Sequence, residues 1–310
     1  MKRLIPMLIL LTLLAGCAAA EEPAFSALPI DFTPGPLAPE ANYTENGYED
    51  ASLSVTMEKV TTDRAVFNVA RVKIADPSQF RTWVEFRGSG INKNKISVLA
   101  RQANAVVAMG GEFFYSDDTG YIVRMGEVMK NSKKKAYKTP IETRDLLFID
   151  ENGDMHILLR QRNKGQKTKV NPDFAEQLKA LVTEHTPVNV FDFGPALIMD
   201  GAAVELPADY FLKPNAWEPR GAIGQVGPLE YVLVVVDTIE HHGRNNGQGA
   251  TFATLQAFMA DLGCIQAYNL DGGNSALMVF HGQNYSDKTV SEERSVSDII
   301  YFATAVGGAQ

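Results

Sequence analysis

The stretch AYNLDGGNSALMVF, Ala267–Phe280, sets a carboxylate, two glycines, an amide and a hydroxyl between two apolar runs. Asp271 there has two readings. It can close an Asx turn over its own loop. It can also stand at a strand end beside Gly272 and Gly273, whose missing side chains let a ligand reach backbone N–H groups. With Asn274 and Ser275 added, the loop suits the oxygens of a sugar or a phosphate. A second candidate is Glu112 in AMGGEFFYSDD. It is either a solvated glutamate after a glycine turn or a carboxyl desolvated by Phe113 and Phe114, raised in pKa and fitted for proton donation. Arg220, in EPRGAIGQ, is a surface ion-pair partner or a planar fork for a phosphodiester. Asp237 ends the apolar run YVLVVV, and Arg294 precedes the final strand-like DIIYFATA, where it is solvated or meets the acidic loop or a substrate phosphate. Asp192 sits in an apolar run, where a carboxylate is costly without a partner. We assign that segment to architecture.

His241 and His242 are adjacent and point apart on any regular element, with no third ligand at helpful spacing, so no zinc site is expected there. Asp and Asn oxygens admit a divalent cation such as calcium, but no loop with its ligand spacing occurs. No metal or cofactor is assigned.

These residues need elements to carry them. RAVFNVARVKI, RTWVEFR and LLFIDENGDMHILL read as strands, the last turning at Asn152-Gly153. ISVLARQAN reads as a helix, and NPDFAEQLKALV as another with Asn171 as N-cap and Pro172 in its first turn. In TFATLQAFMADLG, Phe252, Leu255, Phe258, Met259 and Leu262 share a face, Thr251 caps the start and Gly263 ends it. Gly194-Pro195 separates two strands, Asp200-Gly201 makes a hairpin, and Gly227-Pro228 turns a strand pair. Helix, strand, polar loop, strand is an order that places sites at strand ends. The fold class is α/β in the mixed α+β sense, with mixed β-sheets flanked by helices in a single domain.

The chain has 310 residues, 45% hydrophobic, and a net charge of −8. That permits a large core and argues against a nucleic-acid partner, which calls for a basic face. Lys2 and Arg3 followed by the apolar Leu4–Leu14 form a leader too short to span a bilayer. Leu14-Ala15-Gly16-Cys17 resembles a lipobox, with Cys17 as the lipidated residue; an ordinary secretory signal cleaved near the following alanines is the alternative. Residues 1–17 are thus a lipoprotein signal, and the expected location is the bacterial cell envelope, exported and membrane-anchored. The other cysteine, Cys264, fits a small buried hydrophobe. Residues 18–50 carry Pro23, Pro29, Pro34, Pro36 and Pro39 and read as a flexible tether. The domain takes 51–310.

Together the segments resemble the phosphodiester glycosidase domain family, in order from about Val98 to Ala303. AMGGEFF is similar to the family's Asn-Gly-Gly/Asp-Phe/Tyr-Phe, and FGPALIMDG to its Phe-Gly-Pro turn. PRGAIGQ is similar to Pro-Arg-Thr-Ala-Ile-Gly, and NLDGGNSA to Asn-Leu-Asp-Gly-Gly-Gly-Ser-Ser/Ala. ERSVSDIIYF is similar to the closing segment of bacterial members. Gly110 stands where the family has Asn, Gly221 where it has Thr, and Asn274 where it has a third glycine; Asp237-Thr238-Ile239 replaces Asp-Gly-Arg/Gln.

The resemblance implies hydrolysis of a glycosyl-1-phosphodiester or a related envelope glycan carrying an N-acetylglucosamine-like sugar. Asp271 would stabilise the oxocarbenium-like state, Arg220 and Arg294 the phosphate charge, and Glu112 would position water or act as base. The competing reading is a non-catalytic surface lipoprotein that binds glycan or sugar-phosphate polymer.

Overall fold

The computed structural model describes residues 25–87, 90–112, 120–132, 144–160, 171–208, 210, 212–239, 248–286 and 293–306. The leader, Cys17, Phe113, Phe114, His241 and His242 lie outside them. Among the described residues no helix is long and apolar enough to cross a membrane.

Among the described residues three larger sheets and two two-stranded pairs form one α+β domain, and the pairings among the described strands are antiparallel. The nine-stranded sheet has at its centre Val66–Ile74, Glu230–Asp237, Arg220–Gly227 and Gln266–Leu270. One five-stranded sheet centres on Pro187–Phe191, flanked by Gly120–Arg124 and Leu146–Asp150. The other centres on Val107–Gly110, flanked by Met278–Phe280 and Ile299–Phe302. The largest apolar core lies between them, with Leu233, Tyr268 and Ile223 against Met109, Phe191 and Ile300. Strands this deeply covered are apolar on both faces, which is why YVLVVV and QAYNL show no clean alternation.

Each helix covers one sheet's outer face. Helix α1 (Ile96–Gln102) places Leu99 and Ala100 on Ala108, Val279 and Tyr301. Helix α2 (Phe174–Glu184) lays Phe174, Leu178 and Leu181 on Val123, Phe148 and Val190 without fully burying any of its own residues. It begins later than expected, because the Asn171 side chain accepts from the Asp173 amide at 3.0 Å in an Asx turn ahead of the helix. Helix α3 (Phe252–Asp261) buries Phe252, Leu255 and Met259, is capped by Thr251 accepting from the Thr254 amide, and is followed by Gly263 at φ 83°. Cys264 is buried beside it, and burial pushes its thiol up to about 12. The hairpin turns at Gly153 and at Asp200-Gly201 fall where the sequence puts them, with positive φ at each.

The tether expected over 18–50 is corrected from residue 25 onward. Arg81, almost wholly buried, donates to the carbonyls of Pro29 (2.8 Å), Asp31 (2.9 Å) and Thr33 (3.0 Å), and to the Tyr301 hydroxyl (2.9 Å). Gly35 donates to Ala103 O at 3.2 Å and packs so tightly that a Cβ would lie 2.4 Å from that of Ala303. Tyr43–Thr44 and Gly47–Glu49 then form a hairpin that extends the nine-stranded sheet. Proline has no N–H to donate and disfavours regular ladders, and the carbonyls of Pro29, Asp31 and Thr33 are satisfied by Arg81 of the domain instead. Arg81→Met is expected to cost about 3 kcal/mol and to speed amide exchange and proteolysis selectively within 25–36. Unchanged protection there would contradict the docking.

Candidate functional site

The strands Gln266–Leu270 and Val107–Gly110 belong to different sheets, yet their ends meet: the Asp271 amide donates to Gly111 O at 3.1 Å. Glycines permit the approach. A Cβ on Gly110 would lie 2.7 Å from Ser275 O, and one on Gly111 2.6 Å from the Asp298 carboxylate. On Gly221 it would lie 2.7 Å from Asp271 O, and on Gly272 2.5 Å from Pro219 O. No side chain fits at such distances, so these residues record close backbone approach.

The Asp271 loop is closed on itself. The Gly272 amide donates to Asp271 Oδ1 (2.9 Å), the Gly273 amide to Pro219 O (2.9 Å), and the Ser275 amide to Gly272 O (3.1 Å) within a 3-10 turn over Gly273–Ser275. Both readings of Asp271 therefore meet in one residue, since its carboxylate makes the turn and also lines a cleft. A bare backbone floor is not formed, because the N–H groups of Gly272 and Gly273 are already engaged inside the chain. Asn274 is half-buried on the same turn.

The cleft beside Asp271 is lined by Ser275, Lys93, Arg294, Ser295, Val296 and Ser297. The short pair Ser295–Val296 with Asn94–Lys95 carries Arg294 and Lys93 to it. Glu293 anchors that pair, accepting from the Ser97 amide (2.7 Å) and hydroxyl (2.8 Å) at the start of α1. Arg294 is exposed, Lys93 half-buried, and Asp271 only 9% exposed. One carboxylate, two cations and three hydroxyls thus surround one opening. Lys93, in INKNKIS, gave no signal in the sequence.

Behind the wall lies a buried charge network. Arg124 donates through Nη2 to Glu112 Oε1 (2.8 Å) and through Nε to Asp298 Oδ2 (2.7 Å), with its guanidinium 3.9 Å over the Phe191 ring. Asp298 Oδ1 accepts from the Glu112 amide (3.0 Å), and Glu112 Oε2 from the Asp192 amide (3.1 Å). Asp192 is gripped by both terminal nitrogens of Arg160 (3.0 and 3.1 Å) and by the Tyr121 amide (2.9 Å), which supplies the partner its setting demands. Burial pushes the Glu112 carboxyl up to about 7; Arg124 opposes the rise, and the Asp298 and Asp192 carboxylates add to it. Burial also raises Asp298 and Asp192, against the guanidinium groups. The elevation expected at Glu112 thus has its cause in burial among like charges.

Arg220 is corrected. Its Nε donates to Ala250 O (3.2 Å), Nη1 to Leu212 O (3.0 Å), and Nη2 to Lys213 O and Ala216 O (both 3.1 Å), with the Phe252 ring 4.3 Å away. Strand alternation sends it to the α3 side, whereas Gly221 faces Asp271. Desolvation lowers it to about 10, so it stays charged and holds a loop rather than a ligand. Asp237 is buried, accepts from the Asn68 side chain at 3.0 Å, and is not among the residues lining the cleft. Arg124 and Asp298 were missed. Arg124 ends the strand Gly120–Arg124 and Asp298 directly precedes Ile299–Phe302, so each is a lone charge beside an apolar run, the same signal that singled out Asp192.

The profile of the phosphodiester glycosidase family matches residues 102–303, well over half of the chain. The SPbeta prophage-derived uncharacterized protein YomE of Bacillus subtilis (strain 168) is 30% identical over 113 residues, 36% of this chain and 17% of that protein. The chain therefore spans less than a fifth of that relative's length. The catalytic domain of zebrafish N-acetylglucosamine-1-phosphodiester alpha-N-acetylglucosaminidase, auto-inhibited by its pro-peptide, matches with a TM-score of 0.59 and 16% identity over 87% of each chain, a likeness of fold. A hypothetical protein from Synechocystis matches with a TM-score of 0.48 and 18% identity over 81% of this chain and 62% of that one. On the family match and the shared fold, the chain belongs to the phosphodiester glycosidases, a family of glycosidase-type hydrolases.

Proposed function

We propose that the chain is an exported enzyme, lipid-anchored at Cys17 in a bacterial cell envelope, that removes an N-acetylglucosamine-like sugar from a glycosyl-1-phosphodiester. The observation that carries this reading is the convergence of Asp271 with Lys93 and Arg294 in one cleft. A glycosyl phosphodiester has one carbon that turns cationic and a phosphate that turns more anionic as the bond between them breaks. A carboxylate and two cations lining one cleft match that separation of charge.

In this reaction the bond from the anomeric carbon to the phosphate oxygen breaks, and its electron pair leaves with the phosphate. Asp271 stabilises the carbon left behind until water adds and loses its proton. The phosphate is a weak base, so leaving needs charge neutralisation by Arg294 and Lys93 more than a strong proton donor. Glu112 acts as a positioning residue: it ties Gly111, and so Asp271, to Asp298, which directly follows Ser297 of the cleft wall.

The competing reading, glycan binding without cleavage, draws on Asn274, whose side chain stands where the family pattern has glycine. Purified protein incubated with a panel of sugar-1-phosphate diesters separates the two, since release of reducing sugar marks an enzyme and retention without release a binder. Asp271→Asn is expected to lower kcat about 10³-fold with KM little changed. Arg294→Ala is expected to raise KM about tenfold, the loss of one charge-assisted contact of about 1.5 kcal/mol. Full activity in Asp271→Asn on every responsive substrate would end the proposal.

Glu112 carries a pH signature. Its folded pKa, about 7, lies above the ordinary carboxyl value of 4.5, so its stabilising contribution is complete below 4.5 and is lost as pH rises through 7. Glu112→Gln removes that titration. The Tm of the native protein, measured relative to the variant, is expected to fall between about pH 5 and about pH 8. A constant difference would show that Glu112 stays ionised throughout.

A further inference from the structure

A second cluster lies on the other five-stranded sheet, away from the residues that line the Asp271 cleft. Asp150 ends the strand Leu146–Asp150, His156 lies on the returning strand Met155–Leu158, and His185 is the C-cap of α2. Asp150 is buried, and its Oδ1 is fixed by the amides of Asn152 and Asp154, both at 2.9 Å. That leaves Oδ2 aimed at His156 Nε2 (3.0 Å) and His185 Nδ1 (2.8 Å). The two rings lie 4.6 Å apart between centroids, and Phe148 sets its edge against His156. One ligand atom from each residue falls within 4.8 Å of the other two.

We propose that Asp150, His156 and His185 bind a zinc-type divalent transition metal that staples the end of α2 to the sheet. A tetrahedral ion with arms of about 2.1 Å places its donors roughly 3.4 Å apart, so the Asp150 Oδ2 contacts to the two rings (3.0 and 2.8 Å) must lengthen by about half an ångström to admit it. Two imidazoles and one carboxylate favour zinc, cobalt or nickel over calcium and magnesium, which take oxygen-rich shells. A ligating imidazole presents a ring-nitrogen lone pair to the ion and carries its proton on the other nitrogen. The rings are about 30% exposed (30% for His156, 28% for His185), so an ion can enter and water can complete its shell. The fixed Oδ1 supplies the outer hydrogen bonds that orient a ligating carboxylate. The need for a staple is visible in α2, which has no fully buried residue and ends at His185.

The test uses tag-free, chelator-treated full-length protein titrated with Zn²⁺ by calorimetry and with Co²⁺ by visible absorption. One metal per chain is expected, with Co²⁺ bands of a low-coordinate site and a Tm rise of about 5 °C at saturating Zn²⁺. His156→Ala and His185→Ala should each weaken Zn²⁺ binding about a hundredfold or more, and His185→Gln, which keeps bulk and polarity, should do the same with an unchanged circular dichroism spectrum. The double variant His241→Ala/His242→Ala should bind as the native chain does. Absence of binding by the native chain, native affinity in the His156 or His185 variants, or loss of binding in the His241/His242 variant would each overturn the proposal. The readouts are metal affinity and Tm, so they stand apart from whether the Asp271 cleft hydrolyses anything.

Discussion

Two sheets meet end to end at a place with no room for a Cβ, and the gap behind that junction is filled by charge. Arg124 lies between Glu112 and Asp298 with its guanidinium flat on Phe191, wholly out of water. Removing a guanidinium and two carboxylates from solvent is costly unless nearly every polar atom finds a partner. Here the amides of Glu112 and Asp192 and both free edges of Arg124 supply them. Burial, with the Asp298 and Asp192 carboxylates adding to it, pushes the Glu112 carboxyl up to about 7 against the pull of Arg124. Gly111 follows from the same constraint, since the Asp298 carboxylate occupies the space of its side chain.

The network and the cleft are two sides of one wall. Gly111 O receives the Asp271 amide, and Asp298 succeeds Ser297, so the buried side fixes where the open side presents its groups. In the cleft Arg294 is exposed to solvent, Lys93 is half-buried and Asp271 is nearly covered. The charges behind it are spent on one another. Arg220 shows the contrast most sharply: its family-like setting suggests a phosphate, but its donors are consumed by carbonyls of a neighbouring loop. The same use of a buried guanidinium recurs at Arg81, which holds the proline-rich segment to the domain.

What the sequence disclosed follows the range over which each interaction acts. Thr251, the apolar face of α3, Gly263 and the turns at Gly153 and Asp200-Gly201 were readable because capping and turn chemistry act within a few residues. Asp271 and Glu112 stood out in the sequence by residue type and setting, but the partners that define their surroundings did not. Arg124 is far from Asp298 in sequence, and Lys93 reaches the cleft only through a two-residue strand pair. Arg220 was misread because alternation fixes which face a side chain takes only once the strand's layer is known. The segment after residue 25 was misread because proline excludes regular structure and says nothing about donors elsewhere in the domain.

The account rests on Asp271, Lys93 and Arg294 forming one charge-separating cleft. The most direct measurement is a crystal structure of the Asp271→Asn protein soaked with an intact sugar-1-phosphate diester. The phosphate is expected within hydrogen-bond reach of Arg294 and Lys93, with the anomeric carbon turned toward residue 271. A substrate bound at any other place on the surface, or with its sugar and phosphate reversed in this cleft, would contradict the account.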